Sequence, residues 1–278
     1  MQQEAFTFIL ENTCFHGIHW FGNTPKRVVI LVHGMGEHSG RYASYVVPRL
    51  LSADTSVIAF DHFGHGKTEG KRGHCPHYDA LIQSVDTVFQ KARDVYPELP
   101  VFLYGHSMGG NVVANYLLKR TPPVKGAILS SPFFRLAFQP PSWKISIGKI
   151  LKNILPGITM PLDLDTNALS RDPKEINKYI NDPLVHNRVS PNFSFPVMEA
   201  GEWALHNAHL LEVPVLAIHG TQDRIIDHKA TKAFASASPK VTMALFENGF
   251  HELHNDLEKE NVLDTVLNWI LTQCNNIS

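Results

Sequence analysis

Two short runs, Val28-Val29-Ile30-Leu31-Val32 and Val57-Ile58-Ala59-Phe60, are apolar at every position. A strand with one face in water alternates apolar and polar residues. A strand apolar throughout is buried on both faces, the mark of a central parallel strand. Parallel neighbours cannot be joined by a tight hairpin; each needs a crossover, usually a helix. These runs therefore commit the chain to an α/β fold with helices on both faces of one sheet. Six further strand candidates cover 5–10, 14–21, 101–105, 126–130, 215–219 and 241–246, beside 27–33 and 56–61. The first two lie close enough to form an antiparallel hairpin at the edge of a mostly parallel, eight-stranded sheet. Tyr78, Leu81, Ile82, Val85, Phe89, Ala92 and Val95 recur at helical spacing, with Pro97 closing the run. A last amphipathic helix runs over 261–271. A chain of 278 residues, 44% hydrophobic, suits one large domain spanning 1–278.

One stretch breaks the alternation. About 84 residues (131–214) separate the strand ending at Ser130 from the one starting at Val215, far more than a crossover requires. The stretch is rich in proline and has helical patterns of its own, so it reads as a cap inserted at approximately 132–205. Within it Trp143, Ile147, Ile150, Leu151, Ile154 and Leu155 share one helical face, with Lys144, Lys149 and Lys152 elsewhere. Two readings of that face stay open: a cap helix packed on its own domain, or a lid making transient contact with a membrane surface.

Gly105-His106-Ser107-Met108-Gly109-Gly110 joins the strand at 101–105 to a helical run over 111–119. In a strand–turn–helix setting, G-x-S-x-G places a serine on a strained turn above the carboxyl edge of the sheet, and its neighbours must be small. Gly110 would let the helix approach the sheet. Ser107 is thus the candidate nucleophile. His33-Gly34-Met35-Gly36 follows the third strand, where a glycine-rich loop exposes backbone N–H groups. The N–H groups of Met35 and Met108 are the candidate oxyanion donors. A serine hydroxyl needs a base, and the base an orienting carboxylate. Asp223, in the loop after the strand at 215–219, is the candidate acid, with Asp227 as rival. His251, the first histidine after the strand at 241–246, is the candidate base, with His254 as rival. The base works only when neutral, so activity should fall below about pH 6.5 for an unperturbed imidazole.

Other chemistries fit poorly. Lys and Arg total 25 against 26 Asp and Glu, which leaves no basic face for nucleic acid. His251-Glu252-Leu253-His254 is one residue short of a zinc-protease helix, and the His62/His65 and His74/His77 pairs lack further ligands nearby, so no metal is expected. Gly34-Met35-Gly36 lacks the third glycine and the acid of a dinucleotide loop, so no cofactor is expected. Cys14, Cys75 and Cys274 have neither metal nor disulfide spacing and suit a reducing compartment. The N-terminus lacks a basic segment followed by an apolar one, and no apolar run reaches membrane-spanning length. The expected location is cytoplasmic, with peripheral membrane association through the cap.

With these residues in place, the chain resembles the monoacylglycerol lipase and lysophospholipase branch of the α/β-hydrolases over nearly its whole length. His33-Gly34-Met35-Gly36-Glu37-His38-Ser39-Gly40-Arg41-Tyr42 resembles the family's H-G-x-G-E-H-S-G-R-Y. Asp61-His62-Phe63-Gly64-His65-Gly66-Lys67-Thr68-Glu69-Gly70 is similar to D-H-x-G-H-G-x-S-E-G, with Thr68 for the usual serine. The resemblance implies the α/β-hydrolase fold, a single-chain lipid ester as substrate, and monoacylglycerol cleavage through an acyl-enzyme. Lysophospholipids, simple esters and thioesters are the alternatives on the same triad. It further implies that Glu37, Arg41 and His254 line the polar end of the pocket, where a glycerol head group binds. The cysteines that make some members thiol-sensitive have no clear counterpart.

Overall fold

A computed structural model describes residues 1–162 and 164–275; the side chains of Lys144, Lys149 and Asn153 also lie outside the described set. Among the described residues ten strands and eight α-helices follow in chain order, with four short 3-10 turns between them: β1 Gln2–Leu10, β2 Thr13–Phe21, β3 Arg27–Val32, α1 Val46–Ser52, β4 Thr55–Phe60, α2 Tyr78–Val95, β5 Val101–His106, α3 Met108–Arg120, β6 Gly126–Ser130, α4 Ser142–Ile154, β7 Met160–Pro161, α5 Pro173–Asn181, β8 Arg188–Val189, α6 Pro191–Asn207, β9 Val215–Gly220, α7 His228–Ser236, β10 Val241–Phe246 and α8 Lys259–Asn275. Eight strands form one sheet in the order β1-β2-β4-β3-β5-β6-β9-β10. β1 and β2 form the antiparallel edge hairpin, β2 also runs antiparallel to β4, and the remaining pairs are parallel.

The all-apolar runs behave as their pattern demands. Val28, Ile30 and Val32 of β3 point into a core shared with α2, α3, α6 and α7. Val29 and Leu31 point into a second core under α1 and α8. The sheet is thus filled on both sides, and every strand of the parallel centre from β3 to β9 is fully buried. α3 and the loops after β3, β9 and β10 all start at one end of that centre, so their first residues meet above the same sheet edge.

The segment between β6 and β9 carries α4, the small β7–β8 pair, α5 and α6. α4 does not press its apolar stripe onto the domain. Trp143, Ile150 and Ile154 are 61%, 57% and 69% exposed. The helix instead meets α6 through Gly148, where an added Cβ would come within 2.7 Å of the Phe195 ring. Among the described residues no helix is long and apolar enough to cross a membrane.

Candidate active site

Ser107 sits at the junction of β5 and α3 with φ 53° and ψ −117°, a conformation an L-residue adopts only under constraint. The constraint is visible in its glycines. A Cβ on Gly105 would stand 2.5 Å from the Gly109 carbonyl, and one on Gly109 would stand 2.1 Å from the Val32 carbonyl. Only bare backbone lets β5, α3 and β3 approach so closely. Gly110 lets α3 approach the sheet, since its Cβ would stand 3.1 Å from the Gly105 carbonyl of β5, and it also makes room for Pro132 after β6, at 2.9 Å. Ser130 O accepts from the Ser107 N–H at 2.9 Å, and the Ser107 carbonyl accepts from Asn111 and Phe133 N–H groups.

The loops after β9 and β10 converge on this serine. Ser107 Oγ lies 3.0 Å from His251 Nε2, and His251 Nδ1 lies 2.7 Å from Asp223 Oδ2. With a carboxylate at Nδ1, that nitrogen carries the proton and Nε2 accepts the serine hydroxyl. The rivals are occupied elsewhere: Asp227 caps α7 by accepting from the Lys229 N–H, and His254 stacks on Tyr42 at 4.7 Å. Burial acts to lower the basicity of His251, but the neighbouring Asp223 charge outweighs it, and the imidazole is raised above its ordinary 6.5. Asp223 is held far below the usual carboxylate range: burial opposes this, and His251 and His219 overcome it.

The glycine-rich loop after β3 faces the serine from the other side. A Cβ on Gly34 would stand 3.2 Å from Ser107 Cβ. The Gly34 N–H donates to Glu37 Oε1 at 2.7 Å, which shapes the turn that carries Met35. Met108 opens α3, so its N–H belongs to the first turn, which has no intrahelical acceptor. Asp61 braces the same loop. It accepts from the Ser39 N–H and hydroxyl and from the Lys67 N–H, while a Cβ on Gly66 (φ +49°) would collide with its carboxylate. The Thr68 hydroxyl donates to the Asp61 carbonyl at 2.7 Å, a role for which serine or threonine serves.

A cavity of about 750 Å³ opens above Ser107. Gly34, Met35, Glu37 and His251 line its floor; Trp143, Ile147 and Phe195 line its upper wall. Glu37 and Glu252 reach it as a paired network: Arg41 bonds both oxygens of Glu252 at 2.6 and 2.7 Å and Glu37 Oε2 at 2.7 Å. Tyr42 donates its hydroxyl to Glu37 Oε1, and the Tyr179 ring lies under the Arg41 guanidinium. Glu252 is held down at about 2, because Arg41 outweighs the opposing effect of burial. Arg41 and His254 do not line the cavity: the first is locked between its two carboxylates, and the second is fully buried between Tyr42 and His106. Below the β3 loop, His33, His62 and His65 form a buried ring cluster that meets His186 of the segment before β8, at 4.4 Å from His65. Among the described residues no group of three or more histidine, cysteine or acidic side chains is disposed to hold a metal ion.

A family model described as "Serine aminopeptidase, S33" matches residues 23–258. A monoacylglycerol lipase of Mycolicibacterium smegmatis is 33% identical over 257 residues, 91% of each chain. The chain belongs to the monoacylglycerol-lipase-like serine hydrolases of the α/β-hydrolase superfamily. An uncharacterized abhydrolase domain-containing protein of Dictyostelium discoideum is also 33% identical, over 91% of this chain but only 27% of its own length. The crystal structure of a Paleococcus ferrophilus monoacylglycerol lipase, 32% identical, superposes with a TM-score of 0.84 over 98% of this chain and all of that one.

The structure of this serine hydrolase brings forward residues that sequence reasoning passed over. Glu252 has no role of its own in the sequence reading, yet it is the second anchor of Arg41. Tyr179 and His186 lie in the insertion, whose register no short motif marks. His219, next to last in β9, contacts Asp223; the four-residue spacing within His219-Gly220-Thr221-Gln222-Asp223 was the available signal.

Proposed function

We propose that the protein hydrolyses single-chain lipid esters, foremost monoacylglycerols, through an acyl-enzyme on Ser107. The observation that carries this reading is the hydrogen-bonded line Ser107–His251–Asp223 at the floor of a large, mostly apolar cavity. Ser107 Oγ attacks the ester carbonyl carbon while its proton passes to His251 Nε2. The carbonyl electrons move to oxygen, which accepts from the Met35 and Met108 N–H groups; one such donor is worth roughly 3 kcal/mol of barrier. The tetrahedral adduct collapses, the C–O bond breaks, and His251 returns the proton to the departing glycerol oxygen. Water, deprotonated by His251, then attacks acyl-Ser107; the fatty acid leaves and the serine regains its proton. Asp223 fixes the imidazole and stabilises its charged form.

The polar end of the cavity supports a hydroxylated leaving group over an amine. Glu37 and Glu252, the carboxylates beside the nucleophile, are both engaged by Arg41, which disfavours an ammonium ligand. Of the residues expected there, Glu37 is in reach of a head group, while Arg41 and His254 act from behind it. We read 132–205 as a cap, and the exposed stripe of α4 as a face that touches lipid transiently, since its side chains pass from solvent at Ile150 and Ile154 to the cavity wall at Trp143 and Ile147. The free thiols of Cys14, Cys75 and Cys274 support a reducing, cytoplasmic setting.

The test is fatty acid release from a monoacylglycerol series, short to long chain, by wild type and Ser107→Ala. Ser107-dependent release exceeding that from lysophospholipids and simple esters is expected. Equal turnover by Ser107→Ala would overturn the mechanism, and a preference for another ester class would overturn the substrate.

A further inference from the structure

Asp223 is served by four donors. Its Oδ1 accepts from the Ile225 and Ile226 N–H groups at 2.8 and 3.0 Å. Its Oδ2 accepts from two imidazoles: His251 Nδ1 at 2.7 Å and His219 Nε2 at 3.0 Å. The His219 and Asp223 side chains are both 0% exposed. On the far side of His219, Nδ1 lies 2.8 Å from the Thr231 hydroxyl of α7, itself fully buried. The Thr231 O–H donates to Nδ1, which leaves the ring proton on Nε2, aimed at the carboxylate. A continuous line thus runs Thr231–His219–Asp223–His251–Ser107.

We propose that His219 is a positioning residue of the reaction: its Nε2–H draws charge from the one carboxylate oxygen that holds His251, and so sets how tightly the base is gripped. The proposal rests on the triad reading given above. The two backbone donors on Oδ1 already prevent the carboxylate from turning, so the His219 contact is not needed to hold it in place. Its remaining effect is on Oδ2. Without it the negative charge concentrates on that oxygen, and the charged form of His251 is favoured. The other groups facing His251 are His106 at 4.9 Å between ring centroids, then Glu252, Glu37 and His254, with Arg41 acting on His254; His228 lies 6.3 Å from His219. None of them bonds to Asp223 Oδ2, so substitution of His219 changes this oxygen alone.

The experiment is an NMR titration of the His251 ring in the full chain, its signal identified by loss in His251→Asn, together with kcat/KM against pH for a soluble ester. In His219→Ala the His251 midpoint should rise by about 0.5 pH or more, with the acid limb of kcat/KM moving alike and KM unchanged. His219→Gln, whose amide N–H replaces the donor, should return the midpoint toward wild type. Thr231→Val, which keeps the shape of the site, should give a smaller rise and decides the matter if His219→Ala does not fold. An unchanged or lowered midpoint, or a glutamine variant that matches alanine, would overturn the proposal. Ring titration needs no turnover, so it judges His219 separately from the triad, which stands or falls on Ser107→Ala.

Discussion

The two halves of the insertion between β6 and β9 are built on opposite terms. In the first, α4 presents Trp143, Ile150 and Ile154 to solvent and packs at Gly148 on α6 of the same insertion, while the stretch before it is bonded to the loop after β9, where the Ala137 N–H donates to the Ile225 carbonyl. The second is stitched to the site by its backbone. Ala168 and Leu169 carbonyls accept from the His251 and Glu252 N–H groups, and the His186 N–H donates to the Gly36 carbonyl. Arg171 bonds Asp256 through its Nε, and the same carboxylate oxygen, Oδ2, accepts from the Phe250 N–H, one residue before His251. From α3, Asn111 and Asn115 donate to the Val197 and Ala200 carbonyls. One half therefore fixes where the base stands; the other covers the cavity without touching the base. Access and chemistry are assigned to separate pieces of one insertion.

The largest expected effect removes the chemistry that both halves serve. Ser107→Ala should lower kcat by about 10⁴-fold or more on soluble and lipid esters alike, without loss of fold by circular dichroism. Breaking the stitched half comes next. Asp256→Ala leaves Arg171 and the Phe250 N–H without their acceptor and should cost about 3 kcal/mol in urea unfolding, with kcat reduced on every ester. Disturbing the loose half should act on one substrate class only. Ile150→Ser with Ile154→Ser should cut turnover of vesicle-borne monoacylglycerol by about tenfold while hydrolysis of a short soluble ester stays at wild-type level. Equal losses on both substrates would erase the contrast. The smallest effect is a matter of position: since His251 is raised and must be neutral to act, kcat/KM should rise with pH through a midpoint above 6.5. That midpoint should be the same in the α4 double variant as in wild type.

The parts of this molecule legible in the sequence are those where the deciding contact is local. The buried strands declared themselves by apolar runs. Ser107, Asp223 and His251 could be singled out as candidates because each sits one loop beyond such a strand, and the topology brings the three side chains within hydrogen-bond distance. The pH 6.5 limit expected from sequence belongs to a free imidazole; Asp223, the partner that raises His251, lies 28 residues away in sequence and leaves no local trace. What the sequence did not reveal depends on contacts with no local trace. Arg41 and Glu252 are 211 positions apart. Nor does the apolar stripe of α4 announce whether it faces inward or out, because a helix shows the same period in either case. The second glycine-rich block was legible only as a resemblance; the collision between a Gly66 side chain and Asp61 gives it a cause.

The histidines packed under the β3 loop have one more consequence. Burial holds His33, His62 and His65 below their ordinary 6.5, and His186 down to about 4, so in the folded protein they are neutral in mild acid. Released into solvent, each would bind a proton below about pH 6.5, which makes unfolding a proton-consuming reaction there. Every unit of acidification then removes up to about 1.4 kcal/mol of stability per histidine. Four of them act together across the seam between the β3 loop and the insertion. Acid would thus be expected to part the molecule along that seam, and the urea midpoint at pH 5.5 should fall well below that at pH 7.5.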